Sequence, residues 1–453
     1  MKKLFGTDGI RGQANRYPLT SEVALKMGMA LVQVLKSRGK RPKIVIGKDT
    51  RISGYMLETA LSSGICAMGS DVYLVGPMPT PGVAFITSSM RADAGVVISA
   101  SHNPFYDNGI KFFNGDGFKL YDEVCKKIED LFVNYKFDNA GPTGGNIGKA
   151  HRIDDAAGRY VIFTKLSFPK NLTLNGLKIV VDCANGANYK VAPEVFSELG
   201  ADIILENASP DGININDNCG STHPDNLSSL VKKNGADVGL AFDGDGDRVI
   251  FSDENGKILQ GDEFLAICAI NMKSTGELKN NGVVTTPMSN IALELLFKKY
   301  EIKTIYTKVG DRYIMEEMIK NDYNLGGEQS GHIIFLDNTN TGDGIISALK
   351  LLTIMVKTDK PLSELRKIIE PYPQALFNVE VPYRKNIDEM TKVSKKIDHF
   401  NEVLKNRGRI FVRYSGTQNY LRVLVEGKND EEINRIGNEI EEEIERYFDN
   451  NGI

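Results

Sequence analysis

The chain has 453 residues, 41% hydrophobic and 25% charged, ordinary globular usage that supports about two to four domains with their own cores. A formal net charge of −4 excludes the basic face that nonspecific nucleic-acid binding needs, and no stretch approaches ~18 uninterrupted apolar residues, so no membrane span is expected. Five scattered cysteines (Cys66, Cys125, Cys183, Cys219, Cys268), none in a CxxC pair, argue against a thiolate metal cluster, and with an N-terminus that lacks an apolar h-region they point to the cytoplasm.

Taken in chain order, strand-like and helical stretches alternate. The run at 43–46 ("KIVI") is echoed at 178–181 ("KIVV"). Gly69-Ser70-Asp71-Val72 is echoed by Gly200-Ala201-Asp202-Ile203, and Ala92-Asp93-Ala94-Gly95-Val96 by Ala236-Asp237-Val238-Gly239-Leu240. Three fragments in the same order and at similar spacing indicate a structural repeat. A third copy follows by pattern: a strand at 282–286, a helix over 289–300 with Ser289 as N-cap, a strand at 303–309, a helix over 311–321, and "YNLGG" at 323–327. Such alternation predicts parallel strands with helices on their faces. The tail differs: a strand at 376–383, a helix from about 388 to 404, strands at 409–416 and 419–427, and a charged helix over 430–448 predict a small α+β domain beyond a linker near Pro371-Tyr372-Pro373.

In each α/β copy the third strand runs into a polar, Gly-rich loop, where ligands of open α/β sheets bind. The second such loop is Asp243-Gly244-Asp245-Gly246-Asp247-Arg248. Carboxylates two apart, with glycines that let the backbone wrap, can converge on one hard cation, Mg²⁺ or Ca²⁺ rather than zinc. An EF-hand is excluded, because Arg248 stands where that loop needs Gly and the flanks read as strands. Ser101, in Ser99-Ala100-Ser101-His102-Asn103-Pro104, has three readings: a hydrolase nucleophile, which lacks a GxSxG elbow; a serine in a pre-proline turn; and a phosphoserine suited to a triple-aspartate Mg²⁺ site. "GGNIGKA" fails as a Walker A motif, so ATP is not expected as routine donor. Arg413-Tyr414-Ser415-Gly416-Thr417, expected at a turn between two strands, offers a planar fork, hydroxyls and N–H groups to a phosphate; a plain hairpin turn is the competing reading. Glu328-Gln329-Ser330-Gly331-His332 offers acceptors, a hydroxyl and an imidazole suited to sugar hydroxyls.

Together "FGTDGIRG", "ISASHNPFYDNGIKFF", "DCANGA", "PDGININ", "FDGDGDR", "GGEQSGH", "TGDG" and "RYSGT" resemble the α-D-phosphohexomutase superfamily over essentially the whole chain, most closely its bacterial members that isomerise glucosamine phosphates. The resemblance implies three similar α/β domains with mixed sheets (1–155, 156–253, 254–370) and a C-terminal α+β domain (371–453) around a central cleft. It further implies that Ser101 is the phosphoserine. Asp243, Asp245 and Asp247, with a phosphoserine oxygen, would hold one Mg²⁺, and Arg11, Lys111 and His332 would lie near the transferring phosphoryl group, where acid/base work is done. Arg248, Glu328, Gln329 and Ser330 would face the sugar, and Arg413, Ser415, Gly416 and Thr417 its distal phosphate. The implied activity interconverts glucosamine 6-phosphate and glucosamine 1-phosphate through a bisphosphorylated sugar, with catalytic sugar 1,6-bisphosphate as activator. It would feed UDP-N-acetylglucosamine and cell-wall precursor synthesis. Small-molecule hexosamine phosphates are the expected partners, without nucleic acid or membrane, and a homodimer is one arrangement this allows. A phosphoglucomutase or phosphomannomutase, an Mg²⁺-dependent phosphatase and a sugar-phosphate sensor are the alternatives. One departure stands out: Gln418-Asn419 replaces the family's usual Glu-Pro after SGT, which leaves the phosphate ligands but loosens the loop.

Overall fold

The structure, a computed structural model, describes residues 4–6, 8–36, 41–134, 141–405, 407–415 and 419–451. It separates into two compact units, Met1–Thr286 with Ile302–Lys367, and Pro287–Glu301 with Ile368–Ile453.

The first unit begins with β1 (Ile10–Gln13), α1 (Ser21–Leu35), β2 (Lys43–Lys48), α2 (Ser53–Ala67), β3 (Asp71–Pro77), α3 (Thr80–Ser89), β4 (Ala94–Ile98), β5 (Asp107–Asn114), α4 (Asp122–Asn134), β6 (Ala150–Arg152) and α5 (Ala156–Lys165). Its next stretch comprises β7 (Lys178–Asp182), α6 (Val191–Glu198), β8 (Asp202–Glu206), α7 (Pro224–Asn234), β9 (Val238–Phe242), β10 (Val249–Asp253), β11 (Ile258–Leu259) and α8 (Gly261–Ser274). The third carries β12 (Gly282–Thr285), then, beyond α9 (Ile291–Lys299) of the other unit, β13 (Lys303–Tyr306), α10 (Asp311–Lys320), β14 (Leu325–Gly327), β15 (Ile333–Phe335), α11 (Gly344–Thr358) and α12 (Leu362–Leu365).

One topology recurs three times. The sheets run β1-β5-β4-β2-β3-β6, β11-β10-β9-β7-β8 and β13-β12-β14-β15. In each, the first strand of the copy lies between the second and third, parallel to both, and a fourth returns antiparallel to the third. The words shared by the first two copies have a structural reason. Asp93 Oδ2 accepts from the Lys43 N–H at 2.8 Å, and Asp237 Oδ2 accepts from the Lys178 N–H at 2.8 Å. Each aspartate thus satisfies the N–H that opens its neighbour strand, before the ladder begins. The central strands are buried on both faces, as parallel strands between helix layers must be.

The second unit holds α9, β16 (Gln374–Glu380), α13 (Thr391–Leu404), β17 (Gly408–Tyr414), β18 (Tyr420–Gly427) and α14 (Asp430–Asn451). Its antiparallel sheet runs β16-β18-β17. Ile433, Ile436, Ile440, Ile444 and Phe448 form a helical stripe that buries against Val379, Val423 and Val425, which gives this unit its own core. Local expectations needed correction here. Asn290, not Ser289, caps α9, because its side-chain oxygen accepts from the Ala292 N–H at 3.1 Å. Helix α13 starts at Thr391, after a single 3₁₀ turn at Ile387–Glu389. Arg413 lies inside β17, as the strand expected at 409–416 has it, paired with Arg422. In the first unit the strand expected at 303–309 ends at Tyr306 as the chain turns through Gly310 (φ 133°) into α10. Among the described residues no helix is long and apolar enough to cross a membrane, and all five cysteines are free.

Helices α1 and α2 meet backbone to backbone: a Cβ on Gly64 would stand 2.0 Å from the Leu25 carbonyl oxygen. Gly64→Val should therefore force the helices apart and lower unfolding free energy by about 1–3 kcal/mol, the range for overpacking. Urea denaturation measures it; an unchanged midpoint would mean that the helices separate without loss.

Candidate active site

The loops that leave β4, β9 and β14 carry Ser101, the three aspartates and Glu328 at the carboxyl ends of the third strands. Ser101 is buried and held at φ 53°, a left-handed conformation that non-glycine residues avoid by roughly 1–2 kcal/mol. What holds it there is Arg51, wholly buried just beyond β2. Its Nη2 donates to the carbonyls of Ser101 (2.9 Å) and Asn103 (2.7 Å), and its Nη1 to Asp107 O (3.1 Å) and Pro104 O. Asp49 Oδ2 pairs with Arg51 Nε at 2.8 Å and accepts from Ser99 Oγ at 2.6 Å. Asn216 Nδ2 adds donors to the same Ser101 and Asn103 carbonyls, at 2.9 and 3.0 Å. One buried guanidinium and one amide therefore staple the serine loop by its backbone and leave the hydroxyl free to work. Arg51, Asp49 and Asn216 were not singled out from the sequence. The available signal was that "KDTR" follows the first strand of a copy, at the same sheet edge as the third-strand loops.

Ser101 Oγ donates to Asp243 Oδ2 at 2.6 Å, and its other neighbour is His102 Nδ1 at 3.4 Å. Gly244 permits this approach, since a Cβ there would stand 2.7 Å from Ser101 O. Asp243, Asp245 and Asp247 are all buried, each presenting a carboxylate oxygen within 4.8 Å of the others. Strands β9 and β10 pair across the loop as an antiparallel hairpin, the geometry that rules out an EF-hand. Asp245 Oδ2 accepts from Lys111 Nζ (2.7 Å) and Thr80 Oγ1 (2.6 Å), while Asp245 Oδ1 is buried without a hydrogen-bond donor and Asp247 Oδ1 has only the longer contacts of His332 Nδ1 (3.5 Å) and Arg248 Nε (3.8 Å). Anionic oxygens at such spacing fit a hard divalent cation. The electrostatics agree. Burial first, then Asp247 and Asp245, raises Asp243 well above the carboxylate range. Burial also acts on Asp247, but His332 and Lys111 prevail and hold it low.

Cations ring the aspartates. Burial opposes the charge on Lys111, yet Asp245 at 2.7 Å, Asp8 at 3.4 Å and Asp247 at 3.8 Å keep it firmly protonated. Lys119 bridges Asp8 and Asp311, and Arg11 Nη2 pairs with Asp8. His332 lies with Nδ1 3.5 Å from Asp247 and Nε2 3.5 Å from Asp311. Burial lowers its pKa, but the two carboxylates outweigh that and raise it. The Gly342 N–H, aimed at Nε2 from 3.2 Å, works against a proton there and favours one on Nδ1, facing Asp247. Arg248 Nε and Arg11 Nε are buried donors without hydrogen-bond acceptors, and Arg248 Nη1 stands 3.3 Å from His102 Nδ1. Gly344 N donates to Gly246 O and Asp343 caps α11 while accepting from the Tyr160 hydroxyl at 2.8 Å, so the "TGDG" stretch props the aspartate loop.

Of the residues expected to face a sugar, Glu328 has its pKa raised by burial, Gln329 Nε2 donates to Gln260 at 3.1 Å, and Ser330 is exposed. In the second unit Arg413 faces Arg422 across β17 and β18; burial and that like charge lower its pKa, and Arg422 Nε lacks a hydrogen-bond partner. Ser415 is buried, with its carbonyl accepting from Arg384 at 2.6 Å. Gly416, Thr417 and Gln418 lie outside the described residues.

His102 offers a test. Burial, with Arg248 and Arg11 beside it, pushes its pKa from 6.5 down to about 4. The unfolded chain thus takes up this proton first, so the His102 contribution to stability is full above about 6.5 and lost as pH falls through about 4. In the Ser101→Ala protein, unfolding midpoints between pH 7 and 4 should fall more steeply with His102 than in the added His102→Gln variant. Parallel profiles would contradict the assignment.

Profiles of the phosphoglucomutase/phosphomannomutase family match the chain in four parts: alpha/beta/alpha domain I over 2–139, domain II over 160–256, domain III over 260–372 and the C-terminal domain over 376–443. A phosphoglucosamine mutase from a Geobacter species is 56% identical over 446 residues, 98% of each chain, and one from Citrifermentans bemidjiense is 57% identical over 440 residues, 97% of each. Among solved structures, a phosphoglucomutase/phosphomannomutase family protein from Burkholderia thailandensis superposes with a TM-score of 0.83 at 25% identity, covering 99% of this chain and 98% of that one. An N-acetylphosphoglucosamine mutase from Aspergillus fumigatus, in complex with GlcNAc-6P and magnesium, shares the fold at TM-score 0.69 and 18% identity, covering 98% and 96%.

Proposed function

The chain belongs to the phosphoglucomutase/phosphomannomutase family, among its phosphoglucosamine mutases, and on that premise we propose that it interconverts glucosamine 6-phosphate and glucosamine 1-phosphate through a phosphorylated Ser101. The observation that carries the reading is the buried Ser101 hydroxyl, 2.6 Å from Asp243, one of three clustered and buried aspartates. Phospho-Ser101 passes its phosphoryl group to the free hydroxyl of the sugar phosphate. The resulting 1,6-bisphosphate turns over and returns its other phosphoryl group to Ser101, so a sugar bisphosphate also serves to load the enzyme.

Asp243, Asp245 and Asp247, with a serine phosphate oxygen, would hold one Mg²⁺. When bound, that ion supplies neutralisation of the charge spread over the phosphoryl oxygens. The chain's own residues do the rest by position and charge. Arg51 and Asn216 fix the serine loop, so Oγ keeps one direction. Lys111 holds its proton against three carboxylates, which suits a fixed positive charge better than a base. His332, between Asp247 and Asp311, orients Asp247. Arg11 and Arg248 offer the free Nε–H donors that a phosphoryl group in transfer needs. Glu328, Gln329 and Ser330 are assigned to the sugar's hydroxyl and amino groups, and Arg413, Ser415, Gly416 and Thr417 to the phosphate not in transfer, on the family resemblance and on Arg413 facing Arg422 across β17 and β18. Five free cysteines and the absence of a membrane-crossing helix among the described residues support a cytoplasmic setting.

Peptide mass analysis of active protein should find one phosphoryl group on Ser101, and Ser101→Ala should have no mutase turnover. Asp245→Asn should bind Mg²⁺ more weakly by calorimetry and lose roughly 10²–10³-fold in kcat, the size expected for one preorganised electrostatic contact. Full turnover in either variant would refute the assignment.

Sugar choice follows from the 328–330 loop. A neutral amide at Gln329 both donates and accepts, and Glu328 places charge toward a protonated 2-amino group. A sugar lacking that group leaves the site's polar atoms unpaired. kcat/KM for glucosamine phosphate should exceed that for glucose or mannose phosphate by at least about tenfold, ~1.4 kcal/mol. Equal ratios in side-by-side kinetics would instead indicate a broad hexose phosphate mutase.

A further inference from the structure

At the far end of β15 from the 328–332 loop lies a separate cleft of ≈ 330 Å³, a size suited to a small molecule. It shares no residue with the site above. Its walls include Lys350 and Lys357 of α11, Asn271 of α8, and Phe335, Asp337 and Asn338 after the 328–332 loop. Lys350 is half-buried, with Nζ 5.7 Å from the centre of the Phe335 ring, and among the described residues no carboxylate lies within ion-pair distance of it. Burial, the largest influence, lowers its pKa, and Cys268, Glu277 and Asp337, none of them in direct contact, offset that only in part.

The distribution of charge narrows the ligand. Lys350 and Lys357 are two helical turns apart on one face of α11, about 10 Å along the axis, and make one wall cationic. Asp337, already paired with Lys279 at 2.7 Å and with Asn324 at 2.6 Å, and Glu277 line the cleft as well. A bare cation is repelled by the two lysines, and a molecule with anions at both ends is repelled by the two carboxylates. What suits both is one strongly anionic group on a body rich in hydroxyls, which donate to carboxylates and accept from amides. We propose that this cleft is a second, non-catalytic binding site for a sugar monophosphate, with its phosphoryl group at Lys350 and its hydroxyls toward Asn271, Asn338 and Asp337. The inference stands on the cleft's own geometry, and turnover reports separately on the catalytic reading.

Pyridoxal 5′-phosphate is the probe, because it joins an aldehyde to a phosphate. The neutral lysine nitrogen adds to the aldehyde carbon, water leaves, and borohydride delivers hydride to the imine. On full-length, Mg²⁺-loaded protein, peptide mapping should find Lys350 among the fastest-labelled lysines. Glucosamine 6-phosphate should slow that labelling at least threefold, while glucosamine and chloride at equal ionic strength should not. Lys350→Met should lose the label and keep its turnover. An unlabelled Lys350, or protection by chloride, overturns the site. Protection by inorganic phosphate equal to that by glucosamine 6-phosphate overturns its assignment to a sugar. Turnover lost in Lys350→Met with unfolding midpoint unchanged overturns its being non-catalytic.

Discussion

Three buried aspartates whose carboxylate oxygens approach within 4.8 Å cannot all carry charge unaided. The surroundings of Asp243, Asp245 and Asp247 are arranged around that repulsion. Lys111 neutralises Asp245, His332 and Lys111 hold the Asp247 pKa down, and Asp243 is the member whose pKa burial and its two neighbours push up. That upward shift marks where positive charge is missing, and it is Asp243 that Ser101 touches. The nucleophile and the electrostatic deficit therefore coincide, as a site for a phosphorylated serine and a hard cation requires.

The fold delivers these groups to one place by repetition. Each α/β copy sets its first strand between the second and third and then reverses, so each third strand ends at the same edge of its sheet. A serine loop, an aspartate loop and a polar loop ending in His332 occupy those three ends. Asp93 and Asp237 mark equivalent strand starts, which is why the same short words recur more than a hundred residues apart. The unit containing residues 368–453 has a different sheet and core, and there Arg413 faces Arg422 with no carboxylate between them among the described residues. Like charges opposed across a ladder are unfavourable without a counter-ion, and this suits the anion role assigned to that stretch.

Rigidity at Ser101 comes from a group with no part in the chemistry. Arg51 uses its guanidinium on the carbonyls of the serine loop and is itself paired with Asp49. A lysine could not replace it, since a single ammonium cannot span Ser101, Asn103, Asp107 and Asp49 with fixed geometry. The left-handed backbone at Ser101 is thus over-determined by its surroundings, as sparsely populated conformations at functional sites are.

Strand and helix periodicity, the alternation that implies parallel sheets, and the chemical character of Ser101 and the three aspartates were legible in the sequence, because each rests on interactions between near neighbours along the chain. The same local signals erred by a residue or two at helix starts, where Asn290 rather than Ser289 wins the cap. Long-range partners were not legible: Arg51 with Ser101, Lys111 with Asp245, Lys119 with Asp311, Thr80 with Asp245, Asn216 with Asn103. These pairs are separated by about 50 to nearly 200 residues, and nothing in a local pattern says which cation meets which anion. The sequence by itself determined which residue types could hold a phosphoryl group and a hard cation. Only the tertiary structure decided which carboxylate is pushed up and which is held down, which arginine is spent on the backbone and which is left free, because burial and distance set those outcomes and both arise from packing.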